Sequence, residues 1–160
     1  IREGLLRERE LPRENIDAAA HLSVGSYAQA LEMARGDGLI SRDEVIQYVR
    51  EVVLNNPVKL FDRIQGILGR EDRQTLSRFL ISVASWFRDV RALHEGAERL
   101  INTDLRDPLE KFAAHYPDAD CSRAVDEIEH VIALLPKNVH LATLMIVLSH
   151  RLRSCIIPPS

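Results

Sequence analysis

Glu127-Ile-Glu-His130 is where residue type and spacing first suggest chemistry. A Glu-x-x-His step sets two metal ligands on one helix face, as carboxylate di-metal bundles require, but such a site needs a second step and two further inward glutamates. His21, His94, His115, His140 and His150 all lack a glutamate three residues earlier. The step therefore reads first as the solvated acidic face of an amphipathic helix. His94-Glu95 begins like a zinc-protease motif, yet Glu98 stands where the second histidine must be. Ser82 and Ser85 lie beside Trp86 on an apolar helical stripe, which suits small packing residues better than nucleophiles. Cys121 falls near an expected helix start, where a thiolate is favoured, but no triad or elbow pattern surrounds it. Neither a phosphate-loop nor a dinucleotide glycine pattern occurs, and Gly36-Asp-Gly38 reads as a helix stop. No catalytic residue, metal ligand or cofactor is expected.

Arginine outnumbers lysine eighteen to three, and Arg70, Arg73, Arg78, Arg88 and Arg91 fall in one stretch. Arginine is the better partner for bidentate contacts with carboxylate or phosphate. Because Glu71, Asp72 and Asp89 interleave with this series, a salt-bridged helix surface or subunit contact is favoured over direct DNA contact. Arg73, Arg78, Arg88 and Arg91 are the interface candidates.

The elements that would position these residues are helical. Phe79, Val83, Trp86, Phe87, Val90, Leu93 and Ala97 draw one stripe at three-and-four spacing. Ser41-Arg-Asp-Glu44 has the form of a capping box, and Asn56-Pro57 and Asp107-Pro108 mark further starts. Stops are expected at Gly36 to Gly38, Gly69, Pro117 and Pro136, with Asn138 capping a last helix. The pattern predicts helices over 1–9, 13–22, 26–35, 41–54, 57–68, 71–95, 104–115, 119–135 and 138–155. No sustained period-two alternation suggests a strand, so the expected class is all-α. The terminal Ile156-Ile157 pair, followed by two prolines, is expected to fray.

Composition agrees with this picture. The chain has 160 residues, 46% of them apolar and 28% charged, and a net charge of −3. Folding a chain of this size buries about 70% of its surface, enough for a packed core without metals or staples. The charge balance creates no strong global field toward nucleic acid or an anionic membrane. Cys121 and Cys155 form no Cys-x-x-Cys pair, so a disulfide scaffold or cysteine zinc site is not expected, and a reducing cytosol fits best. No apolar run is long enough to span a membrane. The chain opens at Ile1 in mid-pattern, which leads us to expect a piece of a longer protein.

Two stretches resemble a known family. Ile16-Asp-Ala-Ala-Ala-His-Leu-Ser-Val-Gly-Ser-Tyr-Ala-Gln-Ala-Leu-Glu-Met-Ala34 is similar to the lid of AAA+ clamp-loader subunits, a helix followed by a Gly-Ser turn and an Ala-Leu helix. Gly25 allows the turn, Ser26 caps the next helix, and Ala30 with Leu31 packs it back. The long Leu76–Leu100 helix, Ile101-Asn-Thr-Asp104 and the helices leading to Lys137-Asn-Val-His-Leu-Ala142 resemble the helical collar of the delta-prime subunits of bacterial DNA polymerase III. The resemblance implies a three-helix lid over residues 1–38 and a collar of five to six helices over 39–160. In active loader ATPases the lid turn reads Gly-Ser-x-Arg, and that arginine reaches the nucleotide; here the position is Ala28, which agrees better with the non-hydrolysing delta-prime subunits. The ATP-binding core would precede Ile1.

What the resemblance implies is mechanical: five collars packed into a ring that holds the other loader subunits while the sliding clamp is opened around primer-template DNA. The place implied is the cytoplasmic replisome at the nucleoid. An unrelated helical adaptor and, on Glu127 and His130 alone, a carboxylate metal enzyme are the alternatives.

Overall fold

The computed structural model describes residues 42–69 and 73–159. These form six α-helices and one short 3₁₀ turn, with no strand among the described residues. The protein is all-α, as the periodicity predicts. The expected lid, the Gly36–Gly38 boundary, Ser41 and the three helices before it lie outside the described residues, as do Gly25, Ser26, Ala28 and Arg70.

The first described helix, α1 (Arg42–Leu54), carries Asp43 and Glu44 in its first turn, where carboxylates oppose the helix dipole. Val45, Tyr48, Val49 and Val52 recur at helical spacing and are buried. Asn55, at φ 52°, turns the chain through the left-handed region that asparagine tolerates. Asn56 then caps α2 (Pro57–Leu68) by accepting the Lys59 amide at 3.1 Å, with Pro57 in the first turn, as Asn56-Pro57 predicts. Gly69 ends α2, its amide donating to the Gln65 carbonyl.

The longest helix, α3 (Arg73–His94), extends about 33 Å at 1.5 Å per residue. It buries the predicted Trp86 and Phe87 together with Leu76, Phe79, Leu80, Val83 and Val90. Its end is a Schellman turn: Ala97 donates to the Ala92 carbonyl, Gly96 donates to Leu93, and Gly96 takes φ +79°. A 3₁₀ turn (Thr103–Leu105) leads into α4 (Arg106–His115), followed by α5 (Cys121–Leu134) and α6 (Leu141–Ile156). The most extensive packing joins α3 to α5, then α5 to α6 and α3 to α4, while α1 touches α2, α3 and α6. One core cluster receives side chains from all six helices.

Three local expectations are corrected. Asp107 does not cap α4: the helix begins one residue earlier, out of the 3₁₀ turn, and Leu105 stands at its N-cap without a side-chain bond. Asn138 does not cap α6 either; His140 Nδ1 accepts the Thr143 amide at 3.3 Å. The reason lies in Arg73, whose guanidinium donates to the carbonyls of Leu135, Lys137 and Val139 and holds the connection out of helix until His140. The end does not fray at Ile156, which is 2% exposed, because the 116–120 turn crosses α6 and Asp120 donates its amide to the Cys155 carbonyl at 2.8 Å. Ile157 alone of that pair is exposed.

Two buried polar arrangements fix the helices. Tyr48 Oη lies 2.8 Å from Ser149 Oγ, and Ser149 donates to the Met145 carbonyl at 2.7 Å, so the tyrosine is the donor between α1 and α6. Asp89, 1% exposed, accepts the amides of Ile101 (2.7 Å) and Asn102 (2.8 Å) and the Asn102 side-chain amide (2.7 Å). Asn102 Nδ2 also reaches Ser85 Oγ, while its Oδ1 accepts from Arg42 at 2.7 Å. Asp89→Ala leaves three donors without their acceptor, and a loss of about 3 kcal/mol is expected in urea denaturation. A change below about 0.5 kcal/mol, the range of ordinary surface substitutions, would show that water replaces the carboxylate without cost.

Candidate functional site

The residues singled out for metal or nucleophilic chemistry do not converge. Glu127 accepts from Arg151 at 2.8 Å, so its carboxylate bridges α5 to α6, and His130 is exposed three residues on. No group of three metal-ligating side chains occurs among the described residues. His94 Nε2 lies 3.1 Å from the Ala113 carbonyl and ties the end of α3 to α4. Ser82 donates to the Arg78 carbonyl within its own helix, and Ser85 belongs to the Asp89 arrangement.

Cys121 does start α5, but the thiolate that the helix start would favour is opposed by burial. Burial pushes its thiol up to about 11, the Asp120 carboxylate pushes the same way, and Arg91 opposes them more weakly. Cys155 is raised as well, again chiefly by burial. Desolvation of the charged form outweighs the helix start, and this corrects the sequence expectation.

The interface-candidate arginines are separated rather than gathered. Arg73 is spent on three carbonyls beyond α5. Arg88 pairs with Glu129 of α5, and Arg91 lies 3.7 Å from Glu95 and 3.4 Å from Ser122. Arg78 is half-buried on α3. The partly exposed pairs each contribute at most about 1 kcal/mol, so they guide the α3–α5 seam more than they hold it.

What the fold does bring together is a groove of about 350 Å³ between α1 and α4, floored by α3. Ile46, Val49, Val53 and Leu54 form one wall; Pro108, Phe112 and Tyr116 form the other; Trp86 lies at the base. The rings brace each other: Trp86 and Phe112 meet edge to face, centroids 5.9 Å apart at 78°, and Phe112 stands 4.8 Å from Tyr116, tilted at 48°. Arg50, Lys111 and His115 supply the lining's basic groups, and no carboxylate lines it. The Trp86 indole N–H is buried without an acceptor. Such a surface can bind an apolar body with anionic or carbonyl groups at its edge; it holds no arrangement of nucleophile and base. Leu54 of the groove and Val58 and Phe61 of α2 are large apolar side chains left exposed.

Sequence reasoning missed this groove, although two signals bear on it. In α1, Ile46 and Val53 widen the apolar stripe beyond the core-facing Val45, Val49 and Val52. In α4, Lys111 and His115 run at i, i+4 beside Phe112 and Tyr116.

Fold and groove thus define an all-α bundle with an apolar groove edged by basic side chains. A scan of protein-family models, a search of curated proteins and a search of solved structures each find no match to the chain. Among the described residues, no helix is long and apolar enough to cross a membrane.

The raised thiols have a measurable consequence. An unfolded thiol keeps its ordinary value of 9.0 and ionises before the folded one at about 11. The stabilising effect of Cys121 is therefore complete below about pH 9 and lost as pH rises toward 11, and Cys155 acts in the same direction. Urea midpoints should fall across that window, and iodoacetamide should label the native thiols slowly at neutral pH. Rapid native labelling would show that the thiols are open to solvent.

Proposed function

We propose that the chain is a lid-and-collar piece of a bacterial clamp-loader subunit of the delta-prime kind, an assembly element without catalytic residues of its own. The observation that supports this reading is a run of six helices built on a long α3 with Trp86 and Phe87 in its core, the number expected of a collar, although α3 ends at His94 rather than at the expected Leu100. Leu54, Val58 and Phe61 support it, being large apolar side chains left exposed at one corner, of the kind subunit contacts cover. In this reading, sister loader subunits take up that corner within a five-membered ring. The sliding clamp and primer-template DNA are engaged through the whole assembly, in the cytoplasmic replisome. ATP would be handled upstream of Ile1, and Ala28 replaces the lid arginine that touches nucleotide in active subunits.

A helical adaptor unrelated to clamp loaders is the second reading, favoured by the cation-rimmed groove.

Reconstitution separates the two. Mixed with the remaining clamp-loader subunits, the chain should co-elute with them on size-exclusion chromatography, and Val58→Glu with Phe61→Glu should remove it from the complex. Both side chains are exposed, so the double variant should keep the helical content of the parent. Elution of the unaltered chain, and of its full-length parent, apart from the other subunits would overturn the clamp-loader reading.

A further inference from the structure

We propose that the groove between α1 and α4 is a docking site for an acidic segment of another protein, one that inserts apolar side chains between the two helices and sets carboxylates against Arg50 and Lys111. The inference stands apart from the clamp-loader reading, because it follows from the groove's own chemistry.

Charge complementarity is the first argument. Arg42, Arg63, Arg88, Arg91, Arg106 and Arg151 all lie within 4 Å of a carboxylate of this chain. Arg50 and Lys111 do not pair with any carboxylate among the described residues; Lys59, Arg99, Arg123, Lys137 and Arg153 do not either, but of all these only Arg50 and Lys111 line the groove, which no carboxylate lines. They stand on opposite walls, one on α1 and one on α4, and both are exposed. A cation beside an apolar trough that no carboxylate lines is placed to meet an anion that arrives with an apolar body.

Shape and ring geometry choose the kind of partner. A volume of about 350 Å³ lies near the lower end of ligand pockets, which run roughly 300–1,000 Å³, and suits a few inserted side chains. Helix-in-groove recognition works this way, with apolar anchors at i, i+3, i+4 and i+7 and a polar outer face. Single-stranded nucleic acid needs open ring faces on which bases stack. Here Trp86 is 2% exposed and its ring is braced edge to face by Phe112, so the groove offers side-chain-sized hollows rather than stacking platforms.

Trp86 is the only tryptophan in the chain and lies in the groove, so its emission reports occupancy. The whole chain would be titrated with three probes: an amphipathic helical peptide with leucine anchors and glutamates on its outer face, the same peptide with lysines, and oligothymidylate. The acidic peptide should shift Trp86 emission saturably and bind at least about tenfold more tightly than the basic one. Arg50→Glu with Lys111→Glu should reverse that preference, and Arg50→Gln with Lys111→Gln should abolish it while circular dichroism stays unchanged. Equal binding of the two peptides, preference for oligothymidylate, or no saturable change with the acidic peptide would overturn the proposal. Because these titrations contain no loader subunit, a chain that joins the loader yet ignores the acidic peptide loses this inference alone.

Discussion

A buried carboxylate sets the geometry on which the groove depends. Asp89 could be charged inside the bundle only if its oxygens were met by donors, since an unpaired buried charge costs several kcal/mol. The donors come from Ile101 and Asn102, in the connection that follows the Gly96 turn. Satisfying the carboxylate therefore fixes where that connection lies along α3. It fixes in turn where the 3₁₀ turn and α4 begin. Asn102 passes the constraint on, since its carbonyl oxygen accepts from Arg42 while Arg42 Nε lies 3.0 Å from Asp104. The three helices that line the groove, α1, α3 and α4, are thus keyed at one end by a single polar arrangement.

From that end the packing propagates by apolar contact. Once α4 starts at Arg106, Phe112 falls against Trp86 and Phe87, and His94 reaches the Ala113 carbonyl. A slip of α4 by one residue would rotate its faces by about 100°, turning Phe112 away from Trp86 and Lys111 away from the rim. On the other side of the molecule, the Tyr48–Ser149 bond and the Tyr48–Phe79 ring contact at 5.4 Å hold α1 between α3 and α6. α1 cannot shift without breaking the buried Tyr48–Ser149 bond, nor α4 without losing the half-buried contact of His94 with the Ala113 carbonyl. That rigidity distinguishes a preformed groove from a gap between loosely packed helices.

Much of the fold was legible because apolar spacing and start signals are local. The stripe through Phe79, Val83, Trp86 and Val90 marks α3, and Asn56-Pro57 marks α2, from neighbours within a turn. Expectations failed where a distant group overrode a local one. Arg73, more than sixty residues away, moved the start of α6 from Asn138 to His140. Burial reversed the effect of a helix start on Cys121. Asp89 read as one more charge among Arg88 and Arg91, since nothing in its surroundings announces that its acceptors face a connection twelve and thirteen residues on. The groove was the least legible feature, because its walls come from residues 46–54 and 108–116 and meet only through α3.

The distribution of arginine now divides by task. In the sequence the α3 arginines drew notice because they cluster, yet Arg73, Arg88 and Arg91 are engaged within the bundle: carbonyls for Arg73, Glu129 for Arg88, and Glu95 with Ser122 for Arg91. A guanidinium committed to its own fold must break those contacts before it can meet a partner, so its net gain at an interface is small. Arg50 and Lys111 carry no such debt to a carboxylate among the described residues. Clustering in sequence is therefore a poorer guide to recognition than the state of pairing, which a linear pattern does not contain. The useful distinction is between cations that complete the bundle and cations that the bundle leaves facing an apolar trough.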